Sequence, residues 1–574
     1  MSPDPAKPGP SPLRLWPALV LLALIWALRT LPAMADDLSP PVLMVAFFGP
    51  VVCALLILVW WLAGSRASRR EKLIGAGGWV VLLVVSTLLS HPSFQVFGTL
   101  GSAVPWGATA FVVGLVAARW TRPERRAAVA LAAAAVAFGF WTLVRNDGLW
   151  GDFHSEHVWR WQPTAEDRFL SGRSERAGGE AVAEPLAAAE WPGFRGPGRD
   201  SVVPGLALAE DWTAEAPREL WRIRVGPGWS SFAVAGRRLF TQEQRGEFEV
   251  VAAYDADTGA EIWAHEYRSR FSDTPGGAGP RATPTLSRGM LFTLGAEGLL
   301  HRLEPKTGKV VWQADLRQDA GREPSTWGFA SSPLVVDGVV IVHAGGEGDR
   351  GVLAYGVEDG RLRWGAPAGG HSYSSPQLSR IAGRRSVPQV TDAGLMLLDP
   401  ANGSVVLQYE WPSDLYRVLQ PLMIGESTLL ISTGFGVGTR RLELRSDSDG
   451  FVVEERWTSR GLKPHFNDLV AHQGFVYGFD PNILVCVDLE TGERQWKGGR
   501  YGHGQLLLLP DADQLLVLTE TGDVVLVRAT PERLEELTRV EVLDAKTWNH
   551  PVLVGDRLYV RNGEEAVALE MPLG

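Results

Sequence analysis

The amino-acid sequence predicts an N-terminal α-helical membrane region of about five spans, followed by an all-β eight-bladed propeller. A repeated motif of the form (Asp/Glu)-x-x-Thr-Gly-x-x-x-Trp predicts the propeller, with copies at residues 255–263, 304–312 and 488–496 and weaker ones at 358–364 and 399–403. A period of about 40–50 residues built from short strands is typical of propeller blades. Five apolar segments near the N-terminus predict the membrane region.

The membrane region is predicted to comprise residues 1–146. A helix needs about 20 apolar residues to cross a bilayer, and a backbone in lipid must satisfy its own hydrogen bonds. The segments that meet this requirement are Leu15–Met34, Pro41–Ala63, two spans within Leu73–Ala118 separated at His91-Pro92-Ser93, and Ala127–Val144. One alternative stays open, because Ala33-Met34-Ala35 resembles a signal-peptide cleavage site. Cleavage there would leave four spans.

Basic residues predict the orientation of these helices. The loops Gly64–Lys72 and Arg119–Arg126 each contain four Lys or Arg residues, whereas the alternate loops contain none. Because basic loops stay on the cytoplasmic side, five crossings place the propeller on the other side. No span carries an acidic residue or a lysine near its middle, which argues against a transporter or pump.

Charge and cysteine content exclude two further classes. Residues 1–150 hold 12 basic and 6 acidic residues, whereas residues 151–574 hold 43 and 59, a net charge of −16. So acidic a region lacks the positive field that nucleic-acid binding requires, and no nucleic-acid partner is expected. Cys53 and Cys486 lie far apart in the sequence, so there is no disulfide framework.

Residues 147–218 are predicted to be a linker that ends in a clasp. Trp159 and Trp161 follow the last apolar segment, and aromatic residues at such positions anchor proteins at the level of the lipid headgroups. Residues 171–189 have the composition of a flexible tether. The Pro/Gly-rich stretch 191–200 is too irregular for a helix or strand, and we expect it to pack on the propeller as a clasp.

The propeller is predicted to occupy residues 219–574. Each repeat divides into four strands, with glycine at the tight turn before the fourth, and the tryptophan that follows is expected to pack between blades. A lone strand, Glu219–Val225, precedes the first blade, and the last repeat has only three strands, ending with Ala566–Glu570. Pairing of these two segments would close a ring of eight blades and remove an exposed edge.

The repeats resemble the eight-bladed propeller shared by quinoprotein dehydrogenases and the outer-membrane-assembly lipoprotein. Phe466-Asn467-Asp468-Leu469 and Tyr501-Gly502-His503-Gly504-Gln505 further resemble a bacterial group of membrane-linked proteins with pyrroloquinoline quinone (PQQ)-like repeats. The resemblance covers about 350 residues and is specific for the fold, but a shared fold does not carry function across. It implies a multi-pass protein of the bacterial inner membrane with its propeller in the periplasm.

Candidate ligand-binding residues lie where the chain leads into the innermost strands, since these segments converge on the central channel. They are Trp229, Arg281, Trp327, Tyr373, Arg417, His465, Asn467, His503, Asn549 and His550. Aromatic faces with convergent donors suit a planar anionic ligand. The other interpretation is that these groups satisfy one another and the backbone. A metal site is not expected, because a histidine rim would require several blades to bring their histidines together.

Two functions stay open. The first is a binding or scaffold module anchored in the inner membrane, with a protein partner in the periplasm and no cofactor. The second is a quinoprotein dehydrogenase that uses PQQ with Ca²⁺ and passes electrons to a membrane quinone. The resemblance implies a cofactor clamp that includes adjacent cysteines in the alcohol-oxidising enzymes, and this sequence has no such pair. Asp468 is the obvious acid for a Ca²⁺ site, and no catalytic residue is assigned. The first function is favoured.

Overall fold

The computed structural model describes residues 13–34, 40–151, 154–173, 186–414, 416–447 and 450–574. The chain forms two compact units, Met1–Leu149 with Ser155–Gln162, and Trp150–His154 with Pro163–Gly574. We refer to them as the helical unit and the propeller unit.

Five α-helices build the described part of the helical unit. They are Trp16–Met34, Pro40–Ala63, Arg69–Leu89, Gln95–Ala117 and Pro123–Leu143, with 3-10 turns at Pro92–Phe94 and Ala118–Trp120 and a hairpin of Val144–Leu149 with Ser155–Trp159. Ser68 begins the third helix with a capping box, in which its hydroxyl accepts from Glu71 N–H and the Glu71 carboxylate accepts from Ser68 N–H. The reciprocal bonds satisfy two backbone donors that a helix start leaves open.

The predicted number of spans needs correction. Within the described residues, four helices are long and apolar enough to cross a membrane, with their apolar parts at Met44–Ala63, Arg69–Leu89, Gly98–Trp120 and Arg125–Leu143. The apolar part of the first helix, Trp16–Pro32, is shorter than these four. At a rise of about 1.5 Å per residue, such a segment falls short of the roughly 30 Å hydrocarbon core. Counting apolar residues in the sequence overestimated its length.

Eight antiparallel sheets form the propeller, as predicted. Blade 1 contains Ala233–Ala235, Arg238–Arg245, Phe248–Asp255 and Glu261–Arg268; blade 2 Thr285–Ser287, Met290–Leu294, Leu299–Leu303 and Val310–Asp315; blade 3 Leu334–Val336, Val339–His343, Val352–Gly356 and Leu362–Ala366; blade 4 Ser379–Ile381, Arg384–Thr391, Gly394–Leu398 and Val405–Glu410. Blade 5 contains Leu422–Ile424, Thr428–Thr433, Gly438–Asp447 and Gly450–Ser459; blade 6 Val470–His472, Phe475–Phe479, Ile483–Asp488 and Arg494–Arg500; blade 7 Gln505–Leu509, Gln514–Leu518, Asp523–Arg528 and Glu536–Glu541; blade 8 Val552–Val554, Arg557–Arg561, Glu565–Glu570 and Arg218–Arg224.

Smaller elements accompany the blades. They are the helices Ala165–Arg173 and Leu316–Ala320, the strand Ala189–Trp191 on the inner edge of blade 1, the hairpin Ser272–Asp273 with Gly277–Ala278, and the 3-10 turns Gly348–Arg350 and Pro510–Ala512.

The first and last segments of the propeller close the ring, which confirms the prediction. Arg218–Arg224 is the outermost strand of blade 8 and pairs antiparallel with Glu565–Glu570. Trp221 on this strand is buried, and its indole N–H donates to Ala256 O on blade 1 at 2.8 Å. The strand that comes first in the sequence therefore joins blade 8 to blade 1.

The repeated motif is explained by packing between neighbouring blades. Gly259 has φ of 70°, and a Cβ there would lie 2.9 Å from the Trp221 ring of the preceding blade. Trp263 and Trp312 lie in the same way against Gly308 and Gly360 of the following blades. A side chain at these glycines would collide with the tryptophan as well as strain the backbone, so the glycine and the preceding blade's tryptophan form one packing unit.

Candidate functional site

A segment of the linker crosses one end of the central channel. We call residues 191–203 the plug. The Pro192 carbonyl accepts from Leu286 N–H of blade 2 at 2.7 Å, and Val203 N–H donates to Leu508 O of blade 7 at 2.8 Å. Arg199 donates to the Ser332 and Pro333 carbonyls of blade 3, both at 2.9 Å. The plug is therefore bonded to inner strands on opposite sides of the channel.

The plug backbone is strained at three residues that are not glycine. Arg195, Arg199 and Ser201 have φ of 62°, 54° and 62°, a region that is costly for residues with a Cβ. Such strain persists only where surrounding contacts compensate for it, and it concentrates at functional sites. The contacts of the two arginine side chains supply this compensation.

Hydroxyl groups link the blades around the channel above the plug. Ser231 N–H donates to Thr283 Oγ1 at 3.1 Å, and Thr283 N–H donates to Ser332 Oγ at 3.0 Å. Ser332 N–H then donates to Ser375 Oγ at 2.9 Å. In blades 1 to 3, each of these buried backbone N–H groups thus donates to a hydroxyl of the next blade. These bonds fix the spacing of blades 1 to 4 around the channel.

A cavity of about 180 Å³ lies on the channel axis. Aromatic side chains dominate its wall, and a few polar groups interrupt them. The lining residues are Phe194, Trp229, Asp273, Pro275, Gly276, Arg281, Trp327, Ala330, Ser332, Tyr373, Ser375, Val418, Leu419, Phe466, Asp468, Gln505, Trp548 and His550. Phe194 is contributed by the plug, so the cavity is bounded on that side by the chain itself.

One of the two lining carboxylates, Asp468, is buried and doubly paired. Its Oδ2 lies 2.9 Å from Arg195 Nε of the plug and accepts a short hydrogen bond from His550 Nε2. Burial works against ionisation, but Arg195 and His550 outweigh it and hold the pKa of Asp468 below its ordinary value. Arg195 donates further bonds to Ser201 Oγ and Leu469 O. Asp468 therefore serves to hold the plug.

The second lining carboxylate, Asp273, is also paired. Its Oδ2 binds the guanidinium of Arg281, and both side chains are less than 10% exposed. Asp273 lies in the hairpin Ser272–Asp273 with Gly277–Ala278, and the Trp229 indole N–H donates to Gly276 O of this hairpin at 2.7 Å. The pair thus fixes the hairpin beside the aromatic wall.

Trp548 is oriented by a buried glutamate behind the wall. Its indole N–H donates to Glu520 Oε1 at 2.7 Å, and Gly151 N–H donates to the same oxygen at 2.7 Å. Burial opposes ionisation of Glu520, but the hydrogen bonds and charge of His503, together with Trp548, lower its pKa to about 2. Glu520 is therefore a fixed anion at neutral pH.

Two histidines extend this network away from the cavity. Phe435 N–H donates to His465 Nε2 at 3.2 Å, and His465 Nδ1 lies 3.0 Å from His503 Nε2. Because Nε2 of His465 accepts from a backbone donor, its proton is on Nδ1, which donates to His503. Burial, with the charges of His503 and Lys463, lowers the pKa of His465 to about 3. The two imidazole rings are thus hydrogen-bonded to each other, and the His503 backbone N–H donates to Glu520 Oε2 at 3.0 Å.

The structure brings five of the ten predicted site residues to the cavity wall. They are Trp229, Arg281, Trp327, Tyr373 and His550. The other five satisfy groups elsewhere. His465 and His503 bond each other, Asn467 Oδ1 accepts from His465 N–H, Asn549 donates to the Gly228 and Ser230 carbonyls, and Arg417 packs on the Trp411 ring at 4.5 Å.

Sequence reasoning missed other lining residues as candidates. Phe466 and Trp548 each directly precede an asparagine that was chosen, and the chain turns the aromatic rather than the amide into the cavity. Phe194 belongs to the predicted clasp, whose entry into the channel has no signal in the sequence. Asp273 lies in a hairpin between blades that the repeat does not contain.

The lining residues do not fit PQQ with Ca²⁺. A Ca²⁺ site requires several oxygen ligands, usually including free carboxylates, and both carboxylates among the described lining residues already bind arginines. Within the described ranges, no three His, Cys, Asp or Glu side chains form a group that could hold a metal ion. A volume of 180 Å³ is also below the roughly 300–1,000 Å³ of sites for drug-sized ligands.

Comparison with known proteins identifies relatives of the propeller. The chain is 24% identical over 385 residues to the outer membrane protein assembly factor BamB of Shewanella oneidensis, which covers 61% of this chain and 88% of that protein. It is 34% identical over 128 residues to the quinohemoprotein alcohol dehydrogenase ADH-IIG of Pseudomonas putida, covering 21% of this chain and 17% of that protein. The crystal structure of BamB from Moraxella catarrhalis aligns with 62% of this chain and all of its own, at 14% identity and a TM-score of 0.45.

A family model described as outer membrane protein assembly factor BamB matches the chain in two overlapping segments, residues 212–282 and 247–498. Together they span half of the 574 residues. The matched residues include the strand Arg218–Arg224 and nearly all of blades 1 to 6, with their Gly–Trp packing units. The chain therefore belongs to the family of PQQ-like β-propellers that this model describes.

Proposed function

We propose that the protein is a membrane-anchored binding module whose exported propeller holds a protein partner. The observation that carries this proposal is the state of the cavity charges. Both lining carboxylates are paired with arginines. One of these arginines, Arg195, belongs to the plug that crosses the end of the channel. What remains, among the described lining residues, is a concave aromatic surface whose two carboxylates are both paired, so that neither is available as a general acid or base. Relatives named as outer membrane protein assembly factors support a role in assembly rather than in chemistry.

The same proposal places the chain in the inner membrane with the propeller in the periplasm. In the described part of the chain, four apolar helices are long enough to cross a membrane. The two basic loops between these helices favour the cytoplasmic side. A cysteine replacing the exposed Phe248 of blade 1 is expected to react with a membrane-impermeant maleimide in cells whose outer membrane is permeabilised. A cysteine replacing Arg70, in the first turn of the helix Arg69–Leu89 and within the predicted basic loop Gly64–Lys72, is expected to react only after lysis. The native cysteines are buried and give little background; the reverse pattern would contradict this orientation.

Photo-crosslinking tests the binding role directly. A benzoylphenylalanine replacing Pro275, which lines the cavity, is expected to crosslink one periplasmic polypeptide in intact cells, identified by mass spectrometry. The same group at Phe248, outside the cavity, is the matched control and is expected to give no such product. Crosslinking at both positions or at neither would contradict the proposal.

The alternative function, a quinoprotein dehydrogenase that reduces a membrane quinone, predicts a different result. Aromatic walls and the short match to an alcohol dehydrogenase favour it, whereas the paired carboxylates oppose it. PQQ with Ca²⁺ added to the purified full chain at saturation would then raise its Tm, since a ligand at 100 times its Kd stabilises by about 2.7 kcal/mol. We expect no shift.

A further inference from the structure

We propose that the cavity binds a single uncharged aromatic ring, the side chain of a Phe, Tyr or Trp residue in an extended segment of the protein partner. This inference rests on the proposed binding function and names the group that the cavity recognises. Four features of the cavity support it: its volume, its wall, its charges and the way in which the plug enters it.

The volume of the cavity suits one ring. An apolar cavity of about 150 Å³ holds one benzene molecule, and this cavity has about 180 Å³. A phenyl or phenol group therefore fits, and an indole fits closely. A fused tricyclic cofactor with three carboxylates does not fit without movement of the wall.

The wall presents ring faces and edges in the geometry that aromatic groups prefer. Trp548 lies between Trp229 and Phe466, with both centroid distances 4.8 Å and interplanar angles of 39° and 60°. Trp327 and Tyr373 stack at 4.9 Å and 29° elsewhere on the wall. Offset and edge-to-face contacts at 4.5–7 Å stabilise aromatic pairs beyond the effect of the buried area. Trp229, Trp327, Phe466 and Trp548 are only half-buried, so part of each ring is available to a ligand.

The charges select against a charged ligand. Lys546 Nζ lies 4.3 Å from the Trp548 ring centroid and 5.3 Å from that of Trp229, and Arg281 lines the same cavity. A lysine or arginine side chain would meet these like charges. A carboxylate would lose its water, and the cations at the cavity are already engaged: Arg281 and Arg195 bind Asp273 and Asp468, and Lys546 Nζ donates to Pro275 O at 3.0 Å. A neutral ring avoids both penalties.

The plug shows that the channel accepts a ring carried by a polypeptide. Its backbone binds the inner strands through the Pro192 carbonyl and Val203 N–H. These bonds position Phe194 at the cavity, where its ring packs edge-on to His550 at 4.8 Å. The partner segment would place a second ring on the same axis, against the aromatic wall.

Ligand-observed saturation-transfer NMR on the full chain in lipid nanodiscs tests this inference. The probes are blocked pentapeptides Gly-Gly-X-Gly-Gly, where X is Phe, Trp, Leu, cyclohexylalanine or Lys. We expect transfer to the Phe and Trp rings and at least about fivefold less to the other three side chains. Val418→Trp, which fills the cavity, is expected to abolish the transfer. Trp229→Ala is expected to weaken binding about two- to tenfold, the loss of one ring contact, whereas Phe248→Ala leaves it unchanged.

Equal transfer to cyclohexylalanine or leucine, or transfer that survives Val418→Trp in a variant of unchanged Tm, would overturn the inference. Failure of the inference is distinct from failure of the proposed function. If Pro275-specific crosslinking persists in Val418→Trp, the partner binds the propeller by other groups and only the inference falls. If crosslinking is absent while the Phe peptide still binds, the proposed function falls and the aromatic site stands.

Discussion

Replacing Arg195 with methionine is expected to lower the free energy of unfolding of the propeller unit by about 3–5 kcal/mol, because removal of one partner leaves the other charge of a buried pair uncompensated. Arg195 and Asp468 are 2% and 3% exposed and 2.9 Å apart. The change also removes bonds from the plug to Ser201 and Leu469. Urea titration followed by pulse proteolysis of the full chain in nanodiscs measures the loss.

Two further variants isolate the contribution of charge. Arg218→Met breaks an ion pair with Glu570 whose arginine is 65% exposed, and is expected to cost less than about 1 kcal/mol. The double variant Arg195→Met with Asp468→Asn removes both charges and is expected to recover part of the loss. A double variant as unstable as Arg195→Met alone would show that packing, and not the ion pair, holds the plug.

Replacing Trp221 with alanine is expected to destabilise the propeller by about 3–5 kcal/mol, the usual cost of truncating a buried aromatic residue. Trp221 is 7% exposed, covers Gly259 and donates to Ala256 O across the junction between blades 8 and 1. Because this strand closes the ring, we also expect faster amide hydrogen exchange in Glu565–Glu570. The free energy comes from urea unfolding and the local effect from exchange followed by mass spectrometry.

Trp364 provides the matched control. Its indole lies in the same way against Gly403, at the junction of blades 3 and 4, which is not the junction that closes the propeller. Trp364→Ala is expected to lower stability without faster exchange in Glu565–Glu570. If both variants changed exchange there equally, the closing junction would have no special role. Phe248→Ala, at an exposed position, is expected to change stability by less than about 0.5 kcal/mol.

The propeller could be predicted because its information is local and repeated. The glycine and tryptophan of the motif make the same packing contact at several junctions between blades. The same physical constraint therefore recurs along the sequence. Ring closure followed from counting strands. The first helix was predicted as a span because apolar composition alone does not show how much of an apolar segment is helical. The apolar helical part is only Trp16–Pro32.

The cavity was predictable only in part. Segments leading to the innermost strands do converge, and Trp229, Trp327 and Tyr373 from these segments line the cavity; whether they bind a ligand stays a prediction. Which of two adjacent residues faces the channel depends on backbone direction, and this is why Asn549 was chosen although Trp548 lines the cavity. The pairing of Asp468 with Arg195 joins residues 273 positions apart through an irregular segment, and no periodicity encodes such a contact.

Closure by the first strand has a consequence for biogenesis. Arg222 and Glu565, which form an ion pair across the junction at 2.7 Å, are 343 residues apart. During synthesis the edge of Arg218–Arg224 emerges long before its partner exists, and an unpaired edge invites pairing with other chains. The propeller can therefore be completed only after Glu565–Glu570 has been synthesised, so a truncated or stalled chain would expose an unpaired strand edge that can associate with other chains.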